Sequence, residues 1–187
     1  MNKQKQVGAK WQECYVNDYF DLLIGGTPSR SNPDYWDVKK ETNNMWVSIR
    51  DLKSRFINKT EERISDLGVK KSNVKLIPKN TVIMSFKLTI GRLAISQTPL
   101  YTNEAIVAFI PKKHSKVDSC YLYYGLQSWN LLSEVDQAVK GVTLNKDKMS
   151  RISGLFPSLP EQKKIASILN SVDDLIEKTQ SQINKLQ

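Results

Sequence analysis

Seven positions near the C-terminus, Ile165, Leu169, Val172, Ile176, Thr179, Ile183 and Leu186, recur at alternating intervals of four and three, and only Thr179 is polar. That is the seam of a coiled coil, and it predicts one long helix over 160–187, about 42 Å at 1.5 Å per residue. Pro160 suits a first helical turn, where its missing N–H costs nothing, and Glu161 suits the positive end of the helix dipole. Ile168 and Leu175 widen the stripe, so the helix is expected to touch more than one surface. A full apolar stripe must be buried, either on a partner helix or back on its own domain. The clean heptad favours the partner.

Upstream the pattern changes to short β-rich runs. Met45–Ile49, Thr81–Phe86, Leu93–Ser96, Ala105–Ile110 and Ile152–Phe156 read as strands. Trp11–Phe20 reads as an edge strand or short helix, and Arg50–Arg55 as a turn or short helix. Ser119–Val135 carries Leu122, Leu126, Trp129 and Leu132 at roughly helical spacing. Loops are marked at Gly25–Pro33, Pro78–Asn80, Lys112–Lys116 and Lys140–Thr143 by Gly, Pro, Asn and Lys. The expected architecture is therefore α+β: a domain of mixed strands and short helices over 1–158, then a long coiled-coil helix over 159–187.

Charge changes the picture next. The 187 residues carry 28 Lys+Arg against 19 Asp+Glu, a net of +9. In the helical segment Lys163, Lys164, Lys178 and Lys185 balance Glu161, Asp173, Asp174 and Glu177, so the whole excess belongs to 1–158. Residues 38–92 alone hold 13 basic and 5 acidic side chains. A polyanion suits such a domain, because each Lys or Arg set on a phosphate releases a counterion; a solvated basic face is the plain alternative. No basic amphipathic helix points to a membrane surface, and no apolar run is long enough to span one. Met1–Lys10 is polar and is no secretory signal. Two distant cysteines, Cys14 and Cys120, make no disulfide framework, and a reduced, cytoplasmic protein is expected.

Catalytic constellations are missing from the sequence. Pro33–Lys39 holds the letters of a nuclease motif, but its acidic residues are too close to converge on one metal from two strands. Asn32-Pro33-Asp34-Tyr35 differs from an adenine-methyltransferase loop by a charge, and Gly25-Gly26-Thr27 lacks the Lys of a phosphate loop. His114 is the lone histidine, so neither a zinc site nor a Ser–His triad can be assembled. Asp173 and Asp174 are adjacent on a helix and are expected to point apart. The expectation is a chain with no catalysis, no metal and no cofactor of its own.

An ordered string of motifs remains. It runs Gly26-Thr27-Pro28-Ser29, Tyr35-Trp36, Trp46-Val47-Ser48-Ile49, Asp51-Leu52, Ile64-Ser65 and Gly68. It continues through Pro78–Val82, Thr89-Ile90-Gly91 and Thr102-Asn103 to Pro157-Ser158-Leu159-Pro160-Glu161-Gln162-Lys163-Lys164-Ile165. This string resembles the specificity subunit of type I restriction–modification systems over about residues 11–187. The resemblance implies a target recognition domain on double-stranded DNA, followed by a conserved-region helix. It implies docking to a methyltransferase subunit that uses S-adenosylmethionine, and to a restriction–translocase subunit. It also implies that the recognition subunit itself is not catalytic. A usual subunit carries the unit twice with antiparallel helices. Here there is one domain and one helix, so a half subunit or a fragment is expected, reading one half of a bipartite site. A half subunit would pair with a second copy through its helix. Asn103-Glu104 stands where the family often has Asn-Gln.

Candidate DNA contacts are basic or small polar residues on the punctuated loops: Ser29, Arg30, Arg50, Lys53, Lys87, Arg92, Lys140, Thr143 and Lys146. Arg suits guanine and Lys suits phosphate. Tyr35 and Trp36 read as core or as a stacking platform. Ile165, Leu169, Val172, Ile176, Ile183 and Leu186 are the candidate helix interface. Two readings of other classes stay open: a non-catalytic coiled-coil adaptor, and an RNA-binding module, although no RNA-recognition signature appears.

Overall fold

The computed structural model describes residues 6–7, 11–129, 131 and 144–186. Strands β1 (Gln6–Val7) and β2 (Trp11–Tyr15) lead through one helical turn, α1 (Val16–Tyr19), into β3 (Phe20–Ile24). Then come β4 (Met45–Val47), β5 (Phe56–Ile57), β6 (Glu62–Arg63), α2 (Asp66–Lys71), β7 (Val82–Ser85), β8 (Leu93–Ser96), β9 (Tyr101–Thr102) and β10 (Ile106–Pro111). Helices α3 (Ser119–Ser128) and α4 (Lys146–Ser150), strand β11 (Ser153–Phe156) and the long α5 (Leu159–Leu186) complete the chain. The α+β expectation and the long helix both hold.

The central sheet has the order β3-β10-β7-β8-β5, antiparallel except for the parallel β5–β8 edge. Its strands are apolar at nearly every position because both faces are covered. Leu22, Val82, Met84, Leu93, Ile95, Val107 and Phe109 face one core, closed by Leu122 and Leu126 of α3. The alternate residues Ile83, Ala94, Ile106 and Ala108 face a second core with Met45, Val47, Leu52, Ile77 and Leu100. A small sheet, β6-β4-β9, stands beside it, with Trp46, Ile64 and Tyr101 buried together. A third, β1-β2-β11, ties the start of the domain to the strand before α5.

Several boundaries differ from the sequence expectation. The turn or short helix expected at Arg50–Arg55 is a single 3-10 turn that begins one residue earlier, Ile49–Asp51, with a bend at Ser54 and Arg55. The helix expected to Val135 ends at Ser128, and Trp129 turns extended. The Trp129 ring lies against Gly125, where a Cβ would stand 2.6 Å from it, and against Phe156 at 5.2 Å between centroids. Leu132 lies outside the described residues, as does the loop Lys140–Thr143.

Helix α5 is continuous, but its first turns belong to the domain. Gln162 and Ala166 are fully buried against it. The Gln162 carboxamide accepts from the Asp118 N–H at 2.9 Å and donates to the Pro157 carbonyl at 2.9 Å, so this buried polar group is satisfied. Further along, the Arg55 guanidinium takes hold of the helix. Its Nη1 donates to the Tyr124 hydroxyl at 2.7 Å and to Asn170 Oδ1 at 2.9 Å, and lies 3.5 Å from Asp173; its Nη2 donates to Asp174. Asp173 and Asp174 therefore do not point apart as expected. Both carboxylates converge on one guanidinium, because the fork of Arg spans adjacent residues on the helix surface. Burial lowers the Arg55 pKa, but the hydrogen bonds to Asp174 and Tyr124 more than offset it, so the net direction is up. Burial, reinforced by the hydrogen bond to Asp173, pushes the Tyr124 phenol up to about 12.

Alongside and beyond this clamp the stripe is uncovered. Ile168 and Ile176 are about 60% exposed, at 58% and 60%, and Val172, Leu175, Ile183 and Leu186 are exposed as well.

Replacing Arg55 by Met keeps the apolar stem and removes the guanidinium. Amide exchange over 168–178 is expected to accelerate about tenfold, from the loss of a charge-assisted hydrogen bond. Exchange in β7 and β10 should stay unchanged. Uniform acceleration through the sheet would show that Arg55 supports the whole domain rather than the helix.

Candidate nucleic-acid interface

The registers of the sheet gather four loops at one end. β3 leaves at Ile24 beside Val107, near the start of β10, and Ile106 lies opposite Ser85, where β7 ends. Met84 pairs with Leu93, where β8 begins, and Arg55 enters β5 beside that strand, its carbonyl accepting from the Ile95 N–H at 2.8 Å. β4 ends at Val47, whose carbonyl accepts from the Asn103 N–H at 3.0 Å. The segments 25–33, 48–55, 86–92 and 103–105 therefore share this end. They carry Ser29, Arg30, Arg50, Lys53, Lys87 and Arg92, all exposed.

Of the remaining three expected contacts, one is described, and it lies elsewhere. Lys146 opens α4, which packs beside α1, and α1 precedes the first residue of β3 at the opposite end of the sheet. Lys140 and Thr143 lie outside the described residues.

The first loop is stitched down before it reaches Ser29. A Cβ on Gly25 would stand 2.2 Å from the Thr102 carbonyl oxygen, so only glycine fits this approach. The Gly26 N–H then donates to Thr102 at 2.8 Å, and the Trp46 indole donates to the Gly26 carbonyl at 2.9 Å. Trp36 packs edge-on against Trp46 at 5.1 Å between centroids, so Trp36 is a partly buried wall rather than a free stacking platform.

Arg30 is less free than the sequence suggests. Its guanidinium lies 3.6 Å above the Trp36 ring centroid and grips Glu62 with both nitrogens, one of them at 2.9 Å. The Arg30 hydrogen bond, aided by the charges of Arg30 and Arg50, holds the Glu62 carboxyl below its ordinary range. Glu104 is a second acid here. Thr27 donates to it, and that bond, with the charges of Lys87 and Arg30, lowers its pKa too. The Asn-Glu departure thus keeps a hydrogen bond that Gln could also accept, and adds a negative charge among the cations. Lys53 lies 3.5 Å from Glu61, an exposed pair of little energetic weight. Among the described residues neither Arg50 nor Arg92 makes an ion pair.

Arg92 and Lys53 also border a polar hollow of about 460 Å³ with Arg55, Gly91, Asp173 and Glu177, so the loop end and α5 meet there. Chemically the site is a rim of cations around two buttressed carboxylates, with hydroxyls and amides between them. It can hold phosphates and offers both donors and acceptors to base edges. Among the described residues no group of three or more His, Cys, Asp or Glu comes together to hold a metal ion. Glu62, Glu104, Arg55 and Gln162 are absent from the sequence-based site. Each acts through a partner distant in the chain, and only the polar trio Asn170, Asp173 and Asp174, interrupting an apolar helix, hints at one of them.

Residues 9–187 match the family model of the type I restriction modification DNA specificity domain. The chain is 31% identical over 180 residues to the type I restriction enzyme MjaIX specificity subunit of Methanocaldococcus jannaschii, covering 92% of this chain and 40% of that protein. It is 25% identical to the EcoR124I/EcoR124II specificity subunit of Escherichia coli, over 81% of this chain and 38% of the relative. The fold is similar to the HsdS subunit from Thermoanaerobacter tengcongensis, with a TM-score of 0.68 at 15% identity, covering 93% of this chain and 40% of that one. A chain from a type I R-M system, solved for its complex assembly and conformational transition, matches with a TM-score of 0.72 at 16% identity over 94% of this chain and 41% of that one. The chain thus spans about 40% of the length of these relatives.

The Arg30–Glu62 pair gives a pH signature. The folded-state pKa of Glu62 lies below its ordinary 4.5. Its contribution is therefore complete above pH 4.5 and is lost as the pH falls through the lower value. Tryptophan emission should shift as acid releases Arg30 from Glu62 and the Trp36 face. Glu62→Gln should show the shifted emission already at neutral pH; an unchanged spectrum there would remove the pair's role in holding Arg30.

Proposed function

The chain belongs to the type I restriction–modification DNA specificity family, and from that membership we propose that it reads DNA sequence for a larger modification complex. The observation that carries this reading is the convergence of Ser29, Arg30, Arg50, Lys53, Lys87 and Arg92 at one end of the central sheet. Phosphates bind the exposed cations, and the polar groups between them contact base edges. The chain is non-catalytic. The adenine methyltransferase and its S-adenosylmethionine belong to a partner subunit, and a restriction subunit joins the complex through that partner.

One recognition unit reads one half of a bipartite site. The exposed stripe of α5 supplies the other half of the geometry. Beside the stripe, Trp11, Gly125, Trp129, Leu155, Ile165 and Leu169 line an apolar groove of about 450 Å³, and Val172 and Ile176 are exposed further along the helix. A second copy packed antiparallel along Val172, Ile176, Ile183 and Leu186 covers the stripe by two-fold symmetry. It places two reading ends on opposite sides of a helical spacer. Ile165 is half-buried and Leu169 is exposed in the wall of the groove, so they border that seam rather than fill it.

Duplex binding should weaken steeply with salt. For four to six contacted phosphates the log–log slope is roughly −4 to −5. Lys87→Ala and Arg92→Ala should each reduce the slope by about 1 and leave the thermal midpoint unchanged. A salt-independent affinity, or equal affinity for duplex RNA, would refute this reading.

Sedimentation equilibrium at tens of micromolar should give a dimer. Ile176→Lys with Ile183→Lys lies beyond the docked turns, so it should yield a folded monomer, since each buried Ile contributes roughly 1.5–3 kcal/mol. A monomeric wild-type chain would leave the seam to the methyltransferase.

A further inference from the structure

Leu88 is the most exposed large apolar side chain among the described residues, at 93%. It also adopts a left-handed backbone conformation, with φ of 64°, which disfavours every residue with a Cβ, Asn and Asp least. It sits in the β7–β8 loop at the reading end of the sheet, with Lys87 and Arg92 exposed on either side. The exposure does not reflect a loosely held loop. Ser85 and Phe86 are buried at its base. The Ser85 hydroxyl donates to the Thr89 carbonyl and accepts from the Arg92 N–H at 3.1 Å. The Ser85 carbonyl accepts from the Gly91 N–H at 2.9 Å, and Gly91 supplies the second positive φ, 84°, that turns the chain back. The Phe86 N–H donates to the Ala105 carbonyl at 2.9 Å, fixing the loop to the neighbouring strand entry.

In the isolated chain Leu88 gains nothing from this position. Its side chain is in water, and its backbone is strained. Strain of this kind collects at functional sites, where a bound state compensates for it. The surroundings identify the partner: two cations flank the isobutyl group, so a polyanion that offers apolar surface at the depth of the tip fits. Duplex DNA does so through thymine methyls and base faces, below its phosphates.

We propose that Leu88 is a specificity residue that enters a groove of the duplex and packs against the bases while Lys87 and Arg92 hold phosphates on either side. The assignment rests on the DNA-reading function above and names the residue that contacts bases without charge.

The test uses the full chain, a duplex enriched from a random library by the wild-type protein, and an unselected duplex. Leu88→Gly and Leu88→Asn relieve the left-handed strain, so their thermal midpoints should equal or exceed the wild type. Their affinity for the enriched duplex should fall roughly tenfold or more, the loss of one buried Leu. Their salt slope and their affinity for the unselected duplex should stay at the wild-type values, because no phosphate contact is lost. Lys87→Ala should do the reverse, lowering the slope by about 1 and weakening both duplexes. Wild-type affinity of the Leu88 variants for the enriched duplex would overturn the assignment and leave the loop to a protein partner. A fall in affinity accompanied by a lower thermal midpoint would overturn it in favour of a structural role. A wild-type chain that enriches no duplex would overturn the DNA reading itself, and the assignment with it.

Discussion

The guanidinium of Arg55 is the point at which the edge of the sheet, the neighbouring loops and the long helix are tied together. It enters from the edge strand, and its side chain is only 9% exposed. It meets α3 through Tyr124 and α5 through Asn170, Asp173 and Asp174. A buried charge is expensive unless it is paired, and removing its partners costs more than the pair contributes over an apolar substitute. The clamp is therefore best understood as a constraint on direction. It fixes where α5 leaves the domain relative to the loops that carry Lys53 and Arg92. Gln162 fixes the root of the same helix, so two polar anchors a few turns apart define its axis.

The reading end itself is a balance between fixed and available charge. Arg30 is spent inside the molecule on Glu62 and Trp36, whereas Arg50, Lys87 and Arg92 remain exposed. Glu62 and Glu104 reduce the raw positive potential of the rim. They leave cations at definite places rather than a diffuse basic surface. In the proposed DNA-reading role, an acid at this rim would penalise base positions that offer no amino group.

What the sequence made legible followed from local physics. The β-rich runs at Thr81–Phe86 and Ala105–Ile110 marked the central strands, and the four–three spacing from Ile165 marked α5. The glycine-punctuated loop pointed to Ser29 and Arg30, and basic loop residues pointed to most of the rim. What escaped was non-local. Nothing near Arg55 announces Asn170 or Asp174, more than a hundred residues away. Adjacent aspartates on a helix looked divergent because side-chain direction was judged without the long, forked partner that reaches both. Trp129 ended α3 early because a tryptophan at helical spacing was better placed against Phe156 and Gly125 than in a further turn. Lys146 looked like its basic neighbours, since only the packing of α4 on α1 reveals which end of the sheet a loop serves.

The pairing of β2 with β11 joins Cys14 to Gly154 across almost the whole domain. During synthesis, β2 must wait unpaired until β11 has emerged, and contacts so far apart in sequence close late. Helix α5 follows β11 directly, so its apolar stripe is made only after the strand that completes this sheet. The order of translation thus keeps this exposed apolar stripe out of reach while the strands before it are still finding their partners. It reduces the interval in which an incomplete sheet and an uncovered helix could aggregate with other nascent copies.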